Sequence, residues 1–242
     1  MKALVIGGSS GIGLSIVIAL QSKEGIDHIF VIDKNAYPKE YENEQITFIQ
    51  CDVTKADFSK KLSTIADIQY LFITIGFGHL ACFQDYSEQY IHDSFEVNTI
   101  APICTIRYYY DKLLSKQPFY CAIMVSIAGR LNSPMFSIYS ATKAALRMYI
   151  EAINVELEVQ GSCNKILEVS PGMIEGTAFY GKNNNPEKTR ELAYDIIAHS
   201  ECHEMLFIPK YKEVYKDVIR RYQNNAHQFG IESYEYKQKR LK

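Results

Sequence analysis

Apolar and polar positions along this chain follow two periods in alternation. The short apolar runs KALVI (2–6), HIFVID (28–33), ITFIQCD (46–52), YLFITIG (70–76), CAIMVS (121–126) and KILEVS (165–170) read as buried strands. Between them LSIVIALQSKEG, KADFSKKLSTIA and YSATKAALRMYIEAINVELEV repeat apolar residues at helical spacing, and the last contains no Gly or Pro. Ser87 to about Lys116 predicts a long helical region with a bend or break at Pro102. Asn185-Pro186 predicts an N-cap and first residue for a helix over PEKTRELAYDIIAHS. EMLFIPK (204–210) predicts a last strand and EVYKDVIRRYQNN a last helix. Strands alternating with helices imply an α/β fold, a doubly wound parallel sheet covered on both faces, with right-handed crossovers.

A length of 242 residues suits one such domain, spanning 1–242, with about 211–242 a C-terminal helix and polar tail. No repeat, linker or low-complexity tract divides it. The net charge of −2 gives no electrostatic case for nucleic acid or an anionic membrane surface. The basic end, EYKQKRLK, reads as a solvated tail, and the polar segment after about Tyr222 carries no motif. The six cysteines form no C-x-x-C and no even framework, and Cys202-His203 has no partner cluster. Neither a metal site nor disulfides are expected. No apolar run has the length of a membrane span, and strand-like KALVIGG stands where a signal peptide would begin, so a cytoplasmic protein is expected.

The first strand runs into GGSSGIG, which holds Gly7, Ser9, Ser10, Gly11, Ile12 and Gly13 and leads into a helix. That is the context a nucleotide-binding loop requires. Glycines let the backbone approach a pyrophosphate, and the helix N-terminus adds N–H groups and positive dipole. The plain structural reading is a tight strand–helix turn. Asp33 ends the second strand, where a carboxylate accepts both ribose hydroxyls of NAD and repels a 2′-phosphate. Taken alone, Asp33 is also an ordinary strand-ending residue; with the loop it favours a Rossmann-like dinucleotide site. Ser10 is not the basic residue that often marks NADP binding, while Lys34 could reach a 2′-phosphate if Asp33 turned away. NAD is favoured over NADP.

Ser126 ends the fifth strand, and Tyr139 and Lys143 follow at i and i+4 of one helix, on one face. A free phenol, with a pKa of about 10, is a poor base near neutrality. An ammonium at ~4 Å and an effective dielectric of ~20 attracts a phenolate by roughly 4 kcal/mol. That lowers the phenol toward neutrality, where it exchanges a proton with an alcohol or carbonyl oxygen that a serine hydroxyl also holds. Taken alone, a Y-x-x-x-K match reads more readily as an incidental pair on a surface helix; the glycine loop at the start of the chain is what turns the reading toward chemistry.

These motifs together resemble the short-chain dehydrogenases/reductases, from Lys2 to about Lys210. The family's T-G-x-x-x-G-I-G matches residues 6–13 with Ile6 in place of threonine, and its N-N-A-G reads ITIG at 73–76. Asn98 in EVNTIAP, then Ser126, Tyr139 and Lys143, stand where the family keeps its tetrad. The resemblance implies Tyr139 as acid/base, Ser126 on the substrate oxygen and Lys143 on both the phenol and the nicotinamide ribose. It implies a proton-relay water anchored by Asn98. It also implies cofactor contacts from Asp52, Val53 and Gly76, from Pro171-Gly172, and from Ile174 and Thr177, the last one step beyond the usual threonine position, here Gly176. The two lost amides of ITIG, and Ile6, would remove bracing hydrogen bonds near the adenosine pocket.

Phe77, Phe83, Met135, Phe136, Phe179 and Tyr180 lie in the segments that select substrate in this family, favouring a small-molecule apolar or amphipathic ketone or secondary alcohol. Asn183-Asn184-Asn185 suggests a lid. The resemblance implies a homodimer or homotetramer through helices 87–116 and 137–160. Two function classes stand open: an NAD(P)-dependent oxidoreductase, and a non-catalytic dinucleotide-binding sensor or scaffold. A reductase or epimerase of nucleotide sugars or carrier-linked acyl chains would share the site and differ in the lid. The intact Asn-Ser-Tyr-Lys set favours an enzyme.

Overall fold

The structure, a computed structural model, describes residues 1–177, 179 and 184–241. Seven strands form one parallel sheet: β1 (Lys2–Ile6), β2 (His28–Asp33), β3 (Ile46–Gln50), β4 (Tyr70–Ile73), β5 (Tyr120–Met124), β6 (Ile166–Val169) and β7 (Leu206–Phe207). Their spatial order is β3-β2-β1-β4-β5-β6-β7, so the chain reverses direction across the sheet between β1 and β4. In such sheets the crevice outside the carboxyl ends, at that reversal, is where ligands bind.

Strand periodicity sorts the core into two layers. Ala3 and Val5 face α1 (Gly11–Gln21) and α7 (Pro186–Glu201), with Leu14, Leu20, Ile196 and Ile197 buried against them. Leu4 and Ile6 face the opposite way, toward α2 (Phe58–Ser63), α4 (Ala101–Tyr108), α5 (Tyr110–Leu114) and α6 (Ser137–Val159). The near-continuous apolar strands follow from burial on both faces. Asn154 of α6 donates to the Ile166 carbonyl (2.9 Å) and accepts from its N–H (2.8 Å), which fixes α6 against the start of β6.

The long helical region is interrupted more than expected. α3 (Glu88–Phe95) passes through a π turn, Glu96–Ile100, into α4, with Pro102 in the first turn of α4; a second break falls at Tyr109 before α5. A proline has no N–H to bond back four residues, and the wider π turn takes up the mismatch just ahead of it. The strand expected over 204–210 shortens to Leu206–Phe207, and Lys210 adopts left-handed φ of 58°.

The C-terminal segment differs most. It forms a π turn (Tyr211–Tyr215), α8 (Lys216–Asn224), which is the last helix expected, and a further helix, α9 (Ala226–Leu241), over the polar segment expected to follow it as a tail. Asn225 caps α9 by accepting the Gln228 N–H (3.0 Å), and Arg221 pairs with Glu232 across the α8–α9 hairpin at 2.6 Å. Among the described residues no helix is long and apolar enough to cross a membrane.

Candidate active site

The loop after β1 is braced from two sides. Asp33, 9% exposed, accepts the Ser9 N–H (3.1 Å) on one carboxylate oxygen and the Asn35 N–H (3.0 Å) on the other. Thr74, at the end of β4, donates its hydroxyl toward the carbonyls of Ile6 (3.0 Å) and Gly7 (3.1 Å). The bracing expected to be missing from ITIG and Ile6 is therefore supplied in part by Thr74, because β4 lies beside β1 and brings a hydroxyl to the turn. Gly13 cannot be replaced: a Cβ there would lie 2.1 Å from the Gly7 oxygen and 2.4 Å from Thr74 Oγ1.

At the end of β3, Asp52 accepts the Thr54 N–H (3.0 Å) and hydroxyl (2.9 Å). The Thr54 backbone N–H, foremost, holds its carboxyl below the usual range. Asn98, fully buried in the π turn, bonds the Phe77 backbone in both directions at 2.9 Å and donates its second amide hydrogen to Thr142 (3.1 Å). Both amide hydrogens are thus engaged, and they fix the strand end carrying Gly76.

Ser126 Oγ accepts the Ala128 N–H (3.1 Å) and points at the Pro171 carbonyl from 3.4 Å, long for a hydroxyl bond. Tyr139 and Lys143 lie one turn apart in α6, as the i, i+4 spacing predicts. Tyr139 is 7% exposed, its ring 4.5 Å from Phe136 and 5.2 Å from Phe179. Lys143 Nζ lies 5.8 Å from the Tyr139 ring centre and donates to the Met124 carbonyl at 2.8 Å. Burial pulls the Lys143 ammonium down to about 7. Arg130 grips the buried Glu168 of β6 with both oxygens at 2.6 Å, and Ser170 donates to the same carboxylate, which steadies the loop between Ser126 and Tyr139.

These groups open on one cleft of about 880 Å³. It is lined by Gly7, Ser10, Gly11, Ile12 and Gly13 at one end, and by Asp33, Lys34, Asp52 and Val53 at the strand ends. Gly76, Ser126, Tyr139, Lys143, Pro171, Gly172, Ile174 and Thr177 line the remainder. Ser9 and Asn98 lie behind the wall, Ser9 as a brace on Asp33 and Asn98 as the clamp on Phe77. Phe77, Phe136 and Phe179 face the cleft, whereas Phe83 is 69% exposed outside it and Met135 is buried away from it. Tyr180 and Asn183 lie outside the described residues.

Sequence reasoning named Asn184 only as part of a lid segment and missed Tyr215 and α9. Asn184 Oδ1 accepts the Gly11 N–H at 2.6 Å, at the first residue of α1. Tyr215 packs its hydroxyl against Gly172 so closely that a Cβ there would lie 1.5 Å from it. From α9, Phe229, Ser233 and Lys237 also line the cleft. Their four-residue spacing was a readable signal, hidden by a polar composition that suggested a tail.

A profile of the short chain dehydrogenase family matches residues 1–188. The chain belongs to that family. It is 24% identical over 207 residues to the uncharacterized oxidoreductase YDL114W of Saccharomyces cerevisiae, covering 81% of this chain and 66% of that protein. It is 22% identical over 232 residues to the 3-ketodihydrosphingosine reductase TSC10 of Yarrowia lipolytica, covering 85% and 61% respectively. The chain thus spans less than two thirds of the length of both. Among solved structures, an alcohol dehydrogenase from the archaeon Thermococcus sibiricus, complexed with 5-hydroxy-NADP, superposes with a TM-score of 0.72 at 22% identity, covering 86% of this chain and 94% of that one. A short chain dehydrogenase/reductase from Burkholderia phymatum in complex with NAD gives 0.74 at 16% identity, covering 90% and 91%. At such identities these two likenesses show a shared fold.

Proposed function

We propose that the protein is an oxidoreductase that moves a hydride between a nicotinamide dinucleotide and an apolar or amphipathic ketone or secondary alcohol, with Tyr139 as acid/base. One observation carries this reading: Tyr139, Lys143 and Ser126 meet at the end of the cleft that begins at the glycine loop. The residues present fit a dinucleotide. Gly13 leaves no room for a side chain at the loop, and the Gly11 N–H at the start of α1 already holds an oxygen, that of Asn184. Asp33 uses one acceptor site on each carboxylate oxygen, and a carboxylate offers about four. The remaining sites suit ribose hydroxyls and favour NAD over NADP, while exposed Lys34, next in the chain, is a cation that would favour the latter.

When bound, the nicotinamide supplies or accepts the hydride. The protein's own groups move the proton. In reduction the Tyr139 hydroxyl donates to the carbonyl oxygen as it gains charge; in oxidation the phenolate takes the proton back. The long Ser126 contact to Pro171 exchanges readily for a substrate oxygen, which positions that oxygen beside Tyr139. A charged Lys143 favours the phenolate. Phe136 and Phe179 give the site apolar walls, and the Yarrowia relative's name, a reductase of a 3-keto compound, agrees with a carbonyl substrate of that character.

The test is isothermal titration with NAD, NADH, NADP and NADPH, followed by a ketone and alcohol screen with wild type and Tyr139→Phe. Expected are tighter binding of NAD(H) than NADP(H), and a 10²–10⁴-fold loss of turnover in the variant with cofactor affinity kept, roughly the contribution of a general acid–base. Folded protein that binds none of the four would overturn the reading. A Tyr139→Phe enzyme as fast as wild type would remove Tyr139 from its role.

A further inference from the structure

α9 lies over the cleft because it is pinned there. Asn132 donates to the Ala226 carbonyl at 2.7 Å, and a Cβ on Gly230 would lie 2.8 Å from the Asn132 amide nitrogen. One face of α9, Phe229, Ser233 and Lys237 at i, i+4 and i+8, is thereby turned into the cleft. Lys237 reaches the loop that leads into Tyr139, donating to Ser133 Oγ (2.5 Å) and to the Pro134 carbonyl (2.9 Å).

Among the described residues these are the two acceptors Lys237 uses, so one of an ammonium's three N–H donors remains there. Lys237 is half-buried, and none of the described ion pairs includes it. The carboxylates that line the same cleft are engaged elsewhere. Asp33 and Asp52 hold backbone N–H groups at the strand ends, and Asp93 on α3 accepts Gln89 Nε2 at 2.8 Å. A half-buried cation with no counter-charge among the described residues is partly desolvated at a cost, and an anion entering the site would offset that cost. Burial pulls Lys237 down to about 8, which leaves it charged at neutral pH.

We infer that Lys237 is a specificity-determining residue that receives a carboxylate carried by the substrate, so that the ketone or alcohol presented to Tyr139 belongs to an oxo or hydroxy acid with an apolar chain. A single free ammonium hydrogen matches one carboxylate oxygen better than a phosphate dianion, which calls for several donors. The inference rests on the oxidoreductase reading for the reacting group, while the anion contact itself is measurable without turnover.

The opposing possibility is that Lys237 only straps α9 to the 133–134 loop. Titration calorimetry of the full chain with sodium octanoate and with 1-octanol separates the two, using wild type, Lys237→Gln and Lys237→Arg. Gln retains two N–H donors for the strap without the charge; Arg retains the charge. The expected result is octanoate bound at least tenfold more tightly than 1-octanol by wild type. Lys237→Gln should then lose about tenfold for octanoate and less than twofold for 1-octanol, and Lys237→Arg should keep most of the preference. Equal affinities in wild type, no octanoate binding, or an unchanged preference in Lys237→Gln would each overturn the inference. Dinucleotide titration of the same samples reports separately on the oxidoreductase reading: octanoate preference without dinucleotide binding would remove that reading and leave the anion contact standing.

Discussion

Lys143 is the residue on which burial and chemistry press hardest against each other. It is 2% exposed, bonded to a backbone carbonyl, and pulled down to about 7 by burial, against ~10.4 for a free lysine. Between these values the unfolded chain binds one proton more than the folded chain, so the free energy of unfolding rises with pH across that window. The slope from this group is roughly 1 kcal/mol per pH unit. Thermal unfolding of wild type and Lys143→Met without cofactor, from pH 7 to 9, should therefore show wild type gaining on the variant as pH rises. Parallel curves would mean that Lys143 keeps its proton throughout. The same property bears on the proposed reaction, in which Lys143 would support a Tyr139 phenolate only while charged, so an added anionic partner at Nζ would strengthen that support. Spacing put both residues on one helix face, because i and i+4 share a face whatever surrounds them, and the glycine loop and the other motifs singled the pair out. The brace from Thr74 was not, since it depends on which strand lies beside β1.

At the scale of elements, the segment leading into α7 bears directly on the glycine loop. Asn185 caps α7 by accepting the Glu187 N–H at 3.1 Å, as its place before Pro186 predicts. That cap sets Asn184 over the start of α1, where its side-chain oxygen takes the Gly11 N–H. A pyrophosphate drawn to the same helix N-terminus must displace it. Asn184→Ala should accordingly tighten NAD binding by a fewfold in calorimetry, with little change in melting temperature without cofactor. Weakened binding would show instead that Asn184 turns to contact the cofactor. The interrupted region 87–116 gives the complementary lesson. Pro102 announced a break, but the form of that break, a π turn that buries Asn98 against Phe77, follows from packing on α6 and the loop after β4.

For the whole molecule, the sheet order places the loops after β1, β4, β5 and β6 around one cleft, and the C-terminal hairpin closes its far side. The outer face of the α4–α6 layer is apolar yet exposed. Along α6, Ala141, Ala145, Met148, Ala152, Val155 and Val159 form one exposed stripe, with Met148 57%, Val155 62% and Val159 82% accessible. Ile100 in the π turn and Cys104 and Tyr108 on α4 are exposed as well. Such a face suits a second copy of the chain, in keeping with the proposed homodimer or homotetramer. Light scattering should give at least twice the mass of 27.7 kDa, and Val155→Asp should shift the protein toward monomer. A monomeric wild type at tens of micromolar would remove the proposal.

The sequence by itself determined the α/β alternation, the parallel sheet, the glycine loop, Asp33, and the Ser126, Tyr139 and Lys143 set. The elements rest on local periodicity, which the backbone converts to geometry without reference to distant residues, and the site candidates rest on the order of several motifs along the chain and the resemblance they carry. The tertiary structure alone decided how the cleft is finished. The Thr74 brace, Asn184 on Gly11, Tyr215 filling the space at Gly172, and the inward face of α9 with Lys237 all join residues far apart in the chain. The polar composition of α9 reads as a solvated tail because its inward face becomes visible only against Asn132 and the 133–134 loop that holds it.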